Sequence, residues 1–147
     1  KITCMKITGL KFFKNRIVKN SKGDIIKYLS KKDIYFKKFG EIYFTEILKN
    51  KTKGWNLHRR NTCLLSVPFG RVKFCFIDGR KKSKSFNKKI SILLSKNNYK
   101  IISVPPGIWF SFKSLTTLSL VVNCLNNPHS DNETLKSKCV KNIKILN

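Results

Sequence analysis

From residue 41 onward, apolar and polar residues alternate in short runs broken by turn-forming residues, which is the period of half-buried strands rather than helices. Glu41 to Leu48 alternates after Gly40, and Cys63 to Val67 is a continuous apolar run that stops at Pro68. Val72 to Ile77 alternates as far as Asp78-Gly79, a strong turn dipeptide, and the Lys/Ser-rich stretch through Lys89 reads as a solvated loop. Ile90 to Leu94, Tyr99 to Val104, Ile108 to Phe112 and Leu118 to Cys124 follow as further short strands. Only Glu133 to Cys139 has helical character, opened by Asp131 or Asn132 as a cap. No internal repeat, linker or second domain is visible. The expectation is one all-β domain over 1–147, with its core at about 40–133. An antiparallel sheet of many short strands hides its edges by closing or doubling over, so a sandwich, jelly roll or barrel follows.

Composition changes this picture in one respect. The 147 residues are 41% apolar and 12% aromatic, enough to fill one core. However, 32 Lys+Arg stand against 7 Asp+Glu, a net charge of +25. Such a balance suggests a polyanionic partner. Yet the lysines run from Lys1 to Lys144 without gathering on one element, lysines far outnumber arginines, and alanine and glutamine are absent. A general basic surface written by an AT-rich coding bias accounts for this, and nucleic acid is not the expected partner. The field still draws anionic ligands and makes their binding salt-sensitive.

Cysteine and hydropathy patterns exclude further classes. Cys4, Cys63, Cys75, Cys124 and Cys139 form no C-x-x-C pair, so neither a zinc site nor a disulfide framework is expected. Cys63 and Cys75 read as core, and none has the electropositive context of a reactive thiolate. No apolar run approaches a membrane span and the N-terminus lacks a signal-peptide core, so a cytoplasmic protein is expected. Met5, the only methionine, is a candidate native start, with Lys1 to Cys4 incidental.

Four segments in order then carry a family resemblance. Lys53-Gly54-Trp55-Asn56-Leu57-His58 resembles the Arg-Gly-x-His segment of the dTDP-4-dehydrorhamnose 3,5-epimerase family. Val67 to Val72 resembles its strand-turn-strand around a glycine. Asp78-Gly79-Arg80-Lys81-Lys82-Ser83-Lys84-Ser85-Phe86 is similar to its Asp-x-Arg-x-x-Ser-Pro-Thr-Phe loop, and Val104 to Phe112 to its Ile-Pro-x-Gly-x-x-His-x-Phe strand. The resemblance implies a cupin jelly-roll barrel, commonly a homodimer, whose mouth holds a dTDP-sugar nucleotide. It also resembles the related sugar 3,4-ketoisomerases, which carry His-x-His at this place followed by basic residues like Arg59 and Arg60.

Several positions that the family uses for chemistry hold other residues here. Moving a proton beside a ketone takes a base and an acid. Asn56 stands where the resemblance implies the base, and a carboxamide cannot accept that proton. Phe110 matches the second histidine, and the phenolic acid falls near Val122. His58 lies two residues beyond Asn56, on the same face of a strand, and is the candidate catalytic residue. Tyr43, Tyr99, Ser111 and Thr62 are candidate hydroxyl partners. Candidate substrate-binding residues are Lys53, Asn56, Arg59, Arg60, Arg71 and Trp109: cations for a pyrophosphate, and an aromatic for a base or sugar. Trp55 is a second stacking candidate, although an aromatic on a barrel strand is more often core. No cofactor is expected, and no metal either, since Asn56, His58 and Phe110 leave one imidazole where metal-binding cupins place several ligands. His129, beside Pro128, reads as a loop histidine.

Three functions are compatible with these residues. The first is an isomerase, epimerase-like or ketoisomerase-like, acting on a dTDP-4-keto-6-deoxyhexose. The second is a non-catalytic sugar-nucleotide binder, favoured by Asn56, Phe110 and Val122. The third, resting on net charge alone, is a basic nucleic-acid-binding module, which requires a clustered basic stripe with exposed aromatics.

Overall fold

A computed structural model describes residues 6–138. Twelve strands follow one another: β1 (Lys11–Lys14), β2 (Ile17–Val18), β3 (Ile25–Ile26), β4 (Glu41–Leu48), β5 (Thr52–His58), β6 (Cys63–Phe69), β7 (Arg71–Asp78), β8 (Lys89–Ser95), β9 (Lys100–Val104), β10 (Ile108–Ser114), β11 (Leu118–Leu125) and β12 (Thr134–Lys136). They form two antiparallel five-stranded sheets, ordered β1-β9-β6-β11-β4 and β12-β5-β10-β7-β8, plus the small β2–β3 hairpin. Consecutive strands sit in opposite sheets along much of the chain, which is the jelly-roll arrangement the alternation anticipated. Among the described residues no helix is long and apolar enough to cross a membrane.

The inner faces of the two sheets meet over one apolar core. On β7 the even positions Val72, Phe74 and Phe76 point inward and are fully buried, as a period of two dictates. Phe110 and Phe112 from the neighbouring β10 extend this stack, with the Phe74 and Phe112 rings 5.5 Å apart. From the opposite sheet Ile47, Leu65, Val67 and Val121 close the core.

The structure corrects four readings. The strand beginning at Cys63 does not stop at Pro68 but continues to Phe69, because a bulge there (Val122↔Ser66, then Leu120↔Phe69) spares the proline a ladder donor. Residues 11–14, unassigned by pattern, pair with β9, and Ile7 and Leu10 join the core. The expected helix at 133–139 is a single 3-10 turn, Asp131–Glu133, followed by β12, because the backbone of 134–136 adds to the edge of β5; Cys139 lies outside the described residues. Cys63 is buried, its thiol pushed up to about 12 by desolvation, but Cys75 lies on the outer side of β7 with its Sγ 3.0 Å from Ser91 Oγ.

The Asp78–Lys89 connection is not simply solvated. Its lysines point outward, but Asp78 is fully buried at the end of β7. One carboxylate oxygen accepts from Arg80 Nε (2.8 Å) and the other from Ser83 and Ser85 hydroxyls (2.6 Å each). Gly79 fits under Trp109, where a Cβ would lie 2.9 Å from the indole. Burial alone would raise the Asp78 carboxyl, but the Arg80 guanidinium and the two hydroxyls outweigh it and hold the carboxyl well below the usual carboxylate range.

A carboxylate depressed in the folded state stabilises above its unfolded value near 4, and that contribution fades as pH falls toward the folded value. We expect Asp78→Asn, which turns an acceptor toward these donors into a donor, to cost about 3 kcal/mol in urea unfolding at pH 7. The difference between the two proteins should shrink below pH 4.

Candidate functional site

Toward one end of the barrel the inner faces separate and leave a cavity of about 280 Å³, lined by residues of both sheets. The wall from β5 depends on an irregularity in its pairing with β10. Asn56 pairs with Phe110 but Lys53 pairs with Phe112, so β5 spends one residue more than its partner. By alternation alone Lys53 and Asn56 would face opposite ways; the extra residue turns both into the cavity. Gly54 makes the irregularity possible. Its φ is +101°, and a Cβ there would lie 2.7 Å from the Phe110 carbonyl oxygen.

His58 shares this face and is buried, its ring stacked on Phe110 at 6.1 Å and 13°. Its Nδ1 lies 2.6 Å from Glu133 Oε2. The other carboxylate oxygen accepts the Arg60 and Asn61 backbone N–H groups, each at 2.7 Å. Burial pushes the Glu133 carboxyl up, but the two N–H donors and His58 more than compensate and the net direction is down. Glu133 is therefore ionised at neutral pH. A carboxylate only accepts hydrogen bonds, so Nδ1 carries a proton, and in the neutral imidazole Nε2 is the lone-pair nitrogen. The 3-10 turn and β12 exist at this place to deliver Glu133 and then lock onto β5 through Thr134↔His58.

Facing the imidazole are groups from β4 and β11. Asn123 donates its Nδ2 to the Tyr43 hydroxyl oxygen at 2.9 Å, while its own Oδ1 is buried without a protein partner. With its oxygen occupied as an acceptor, Tyr43 has its O–H free for a ligand. Desolvation raises the Tyr43 phenol despite the Asn123 bond, so it stays protonated at neutral pH. Lys53 and Lys136 add two cations, and Thr45, Thr134 and His129 complete the polar lining.

The structure thus brings Lys53, Asn56, His58 and Tyr43 together, and leaves the other sequence candidates outside. Trp109 points away from the cavity. It is buried on the outer side of the second sheet with Leu57, Ile77 and Trp55, one position out of phase with the inward Phe110. Arg59 and Arg60 are exposed beyond the end of β5, and Arg71 is exposed at the start of β7. Of the four hydroxyl candidates only Tyr43 lines the cavity. Val122 faces outward and its neighbours Val121 and Asn123 face in. Glu133 was missed as a site residue, and so were Asn123 and Lys136; the scarcity of acids was the available signal, since two of only 7 in the chain, Asp131 and Glu133, stand beyond the last core strand. Among the described residues no group of three or more His, Cys, Asp or Glu side chains converges.

Comparison with known proteins agrees with the fold and the motifs. A model of the dTDP-4-dehydrorhamnose 3,5-epimerase family matches residues 4–141. Among solved structures, a dTDP sugar isomerase from Desulfovibrio desulfuricans G20 is 31% identical, with a TM-score of 0.87 over 89% of this chain and 85% of that one. The 3,5-epimerase of Bacillus anthracis, solved with TDP and pyrophosphate bound, is 19% identical with a TM-score of 0.79 over 89% and 82%. That of Legionella pneumophila, in complex with dTDP-4-keto-L-rhamnose, is 18% identical with a TM-score of 0.80 over 89% and 73%. A search of curated proteins finds no match. With the motifs in order, the barrel in place and the match running almost end to end, the chain belongs to the dTDP-4-dehydrorhamnose 3,5-epimerase family.

Proposed function

We propose that the protein is an isomerase of a dTDP-4-keto-6-deoxyhexose, with His58 as base and Tyr43 as acid. The observation that carries this reading is the His58–Glu133 pair. A buried histidine serving only to fill space needs no ionised carboxylate fixed by two backbone donors; that arrangement suits an imidazole set in one tautomer with a nitrogen left for a substrate proton.

In the proposed reaction Nε2 of His58 takes the C3 proton next to the C4 ketone. The bonding pair moves into the C3–C4 bond, and the C4 oxygen receives the Tyr43 proton, giving an enediol. A proton from solvent added to the opposite face of C3, with the C4 hydroxyl returning its proton to Tyr43, gives the epimer; a proton added to C4 while the C3 hydroxyl loses its own to Tyr43 gives the 3-keto isomer. The site holds one positioned imidazole, which fits one carbon centre better than two and favours the 3-epimerase or ketoisomerase outcome over double epimerisation. Lys53 and Lys136 are the proposed pyrophosphate contacts, and Asn56 offers an amide to the sugar. Arg59, Arg60 and Arg71, exposed outside the cavity, would contribute through the general field rather than by contact. A non-catalytic binder is the second reading, favoured by Asn56 at the family's base position.

Incubation with dTDP-4-keto-6-deoxyglucose in D₂O tests this directly. Deuterium at C3, or at C4 of a 3-keto product, is expected, and its absence at C3, C4 and C5 would favour the non-catalytic binder. Glu133→Gln presents an NH₂ to Nδ1 and forces the proton onto Nε2, so kcat should fall about a hundredfold or more with little change in KM. The acidic limb of the pH–rate profile, which reports the base, should move as well.

Binding has its own signature. A ligand held at a hundredfold excess over Kd stabilises the folded state by about 2.7 kcal/mol, so dTDP should raise Tm. With a net charge of +25, 0.5 M salt should weaken that shift, while a neutral nucleoside is little affected. No shift with millimolar dTDP, alongside tight binding of a short oligonucleotide at physiological salt, would contradict the sugar-nucleotide reading.

A further inference from the structure

Among the described residues three buried side-chain atoms have no hydrogen-bond partner in the protein: the Tyr99 hydroxyl, Trp109 Nε1 and Asn123 Oδ1. Of these residues only Asn123 lines the cavity. Alternation along β11 asks for an apolar side chain at this place. Val121 and Leu125, the inward positions on either side of it, belong to the core, and Asn123 is buried like them, at 2% exposure. Its neighbours across the sheet are Leu65 on β6 and Tyr43 on β4. A leucine would suit all of these surroundings except the Tyr43 hydroxyl.

The amide therefore weakens the fold. A buried carbonyl oxygen that gives up water and gains no donor destabilises the folded state. The Cys63 thiol lies beside the amide, but it is a weak donor and makes no hydrogen bond to Oδ1. What the amide gains is one bond, from Nδ2 to the Tyr43 hydroxyl oxygen at 2.9 Å. That bond fills an acceptor site of the phenol and leaves its O–H for a group in the cavity. It also stabilises the phenolate that remains once the proton has been given.

We propose that Asn123 is a positioning residue of the reaction, kept at the expense of stability because it aims the Tyr43 proton and eases its release. This rests on the isomerase reading with Tyr43 as acid. A residue kept for the fold alone would be apolar here; one kept for the phenol must be a donor. Aspartate, of the same shape, would reverse the bond, because a carboxylate accepts the phenolic O–H and withholds it from the substrate. The other charged and titratable groups around the phenol are Glu41 on its own strand, Cys63 on β6, Lys53 and His58 on β5, and Glu133, Lys136 and His129 from the chain after β11. None of them changes with residue 123, so a shift of Tyr43 in a variant reports the amide.

Asn123→Leu tests this in the full chain. Its Tm should rise by about 3 °C, since the orphaned oxygen is gone. At the same time kcat should fall about tenfold or more, with KM staying within about threefold of the wild type. The basic limb of the pH–rate profile, which reports the acid, should move to higher pH. The Cζ resonance of isotopically labelled Tyr43, assigned with Tyr43→Phe, should show the phenol ionising at higher pH than in the wild type. Asn123→Asp should lose kcat to a similar degree. A leucine variant that keeps its kcat, a Tyr43 titration that stays in place or moves down, or a fully active aspartate variant would overturn the proposal. A Tm below the wild type in both Asn123→Leu and the smaller Asn123→Val would show that the amide serves the fold instead. If the wild type exchanges no substrate proton with solvent, the isomerase reading fails, and melting and the titration still decide whether the amide is a destabilising partner of the phenol.

Discussion

The molecule depends on two sheets burying their inner faces against each other, and on that contact failing toward one end. Where Phe74, Phe76, Leu65 and Val67 meet, side chains fill the space between the layers. Where β4 and β5 face each other the inward positions are Tyr43, Thr45, Lys53, Asn56 and His58, which are polar and do not close the gap. The cavity is therefore a consequence of composition along strands whose alternation is otherwise the same. Rigid strands carry every group of the site except Glu133 and His129, which gives it the fixed geometry that the proposed proton transfer requires.

In so basic a chain the buried carboxylates show where charge has been placed with care. Asp78 and Glu133 both accept several donors and both are held ionised against desolvation. Asp78 is closed on all sides by Arg80, Ser83 and Ser85 and ties the β7–β8 connection to the barrel. Glu133 spends one oxygen on backbone N–H groups and the other on an imidazole that lines a cavity. The first is a complete structural knot, whereas the second leaves one ring nitrogen of His58 without a carboxylate. The same contrast separates the two aromatic neighbours on β10, since Phe110 shapes the site and Trp109 seals the outside of the sheet.

Alternation alone made the strands after residue 40 legible, because each lies against a core on one side and its period of two survives in the sequence. It also put Asn56 and His58 on one face, and the ordered motifs carried the cupin barrel and its family. The N-terminal strand was not legible: Lys11–Lys14 has polar ends and earns its conformation only by pairing with β9. Pro68 looked like a stop because the bulge that accommodates it is a property of two strands.

The tertiary structure alone decided the site. The extra residue at Gly54, which turns Lys53 inward, is visible only as a mismatch of register with β10. Trp109 and Phe110 are adjacent in sequence, and which of them faces the cavity depends on which side of the sheet the other layer occupies. Glu133 and His58 are 75 residues apart and meet because β12 adds to the edge of β5. Local sequence encodes the period of a strand, since that is set by backbone geometry and near neighbours. It does not encode register, the choice of face or the meeting of distant groups, since these are fixed by partners that the chain finds only on folding.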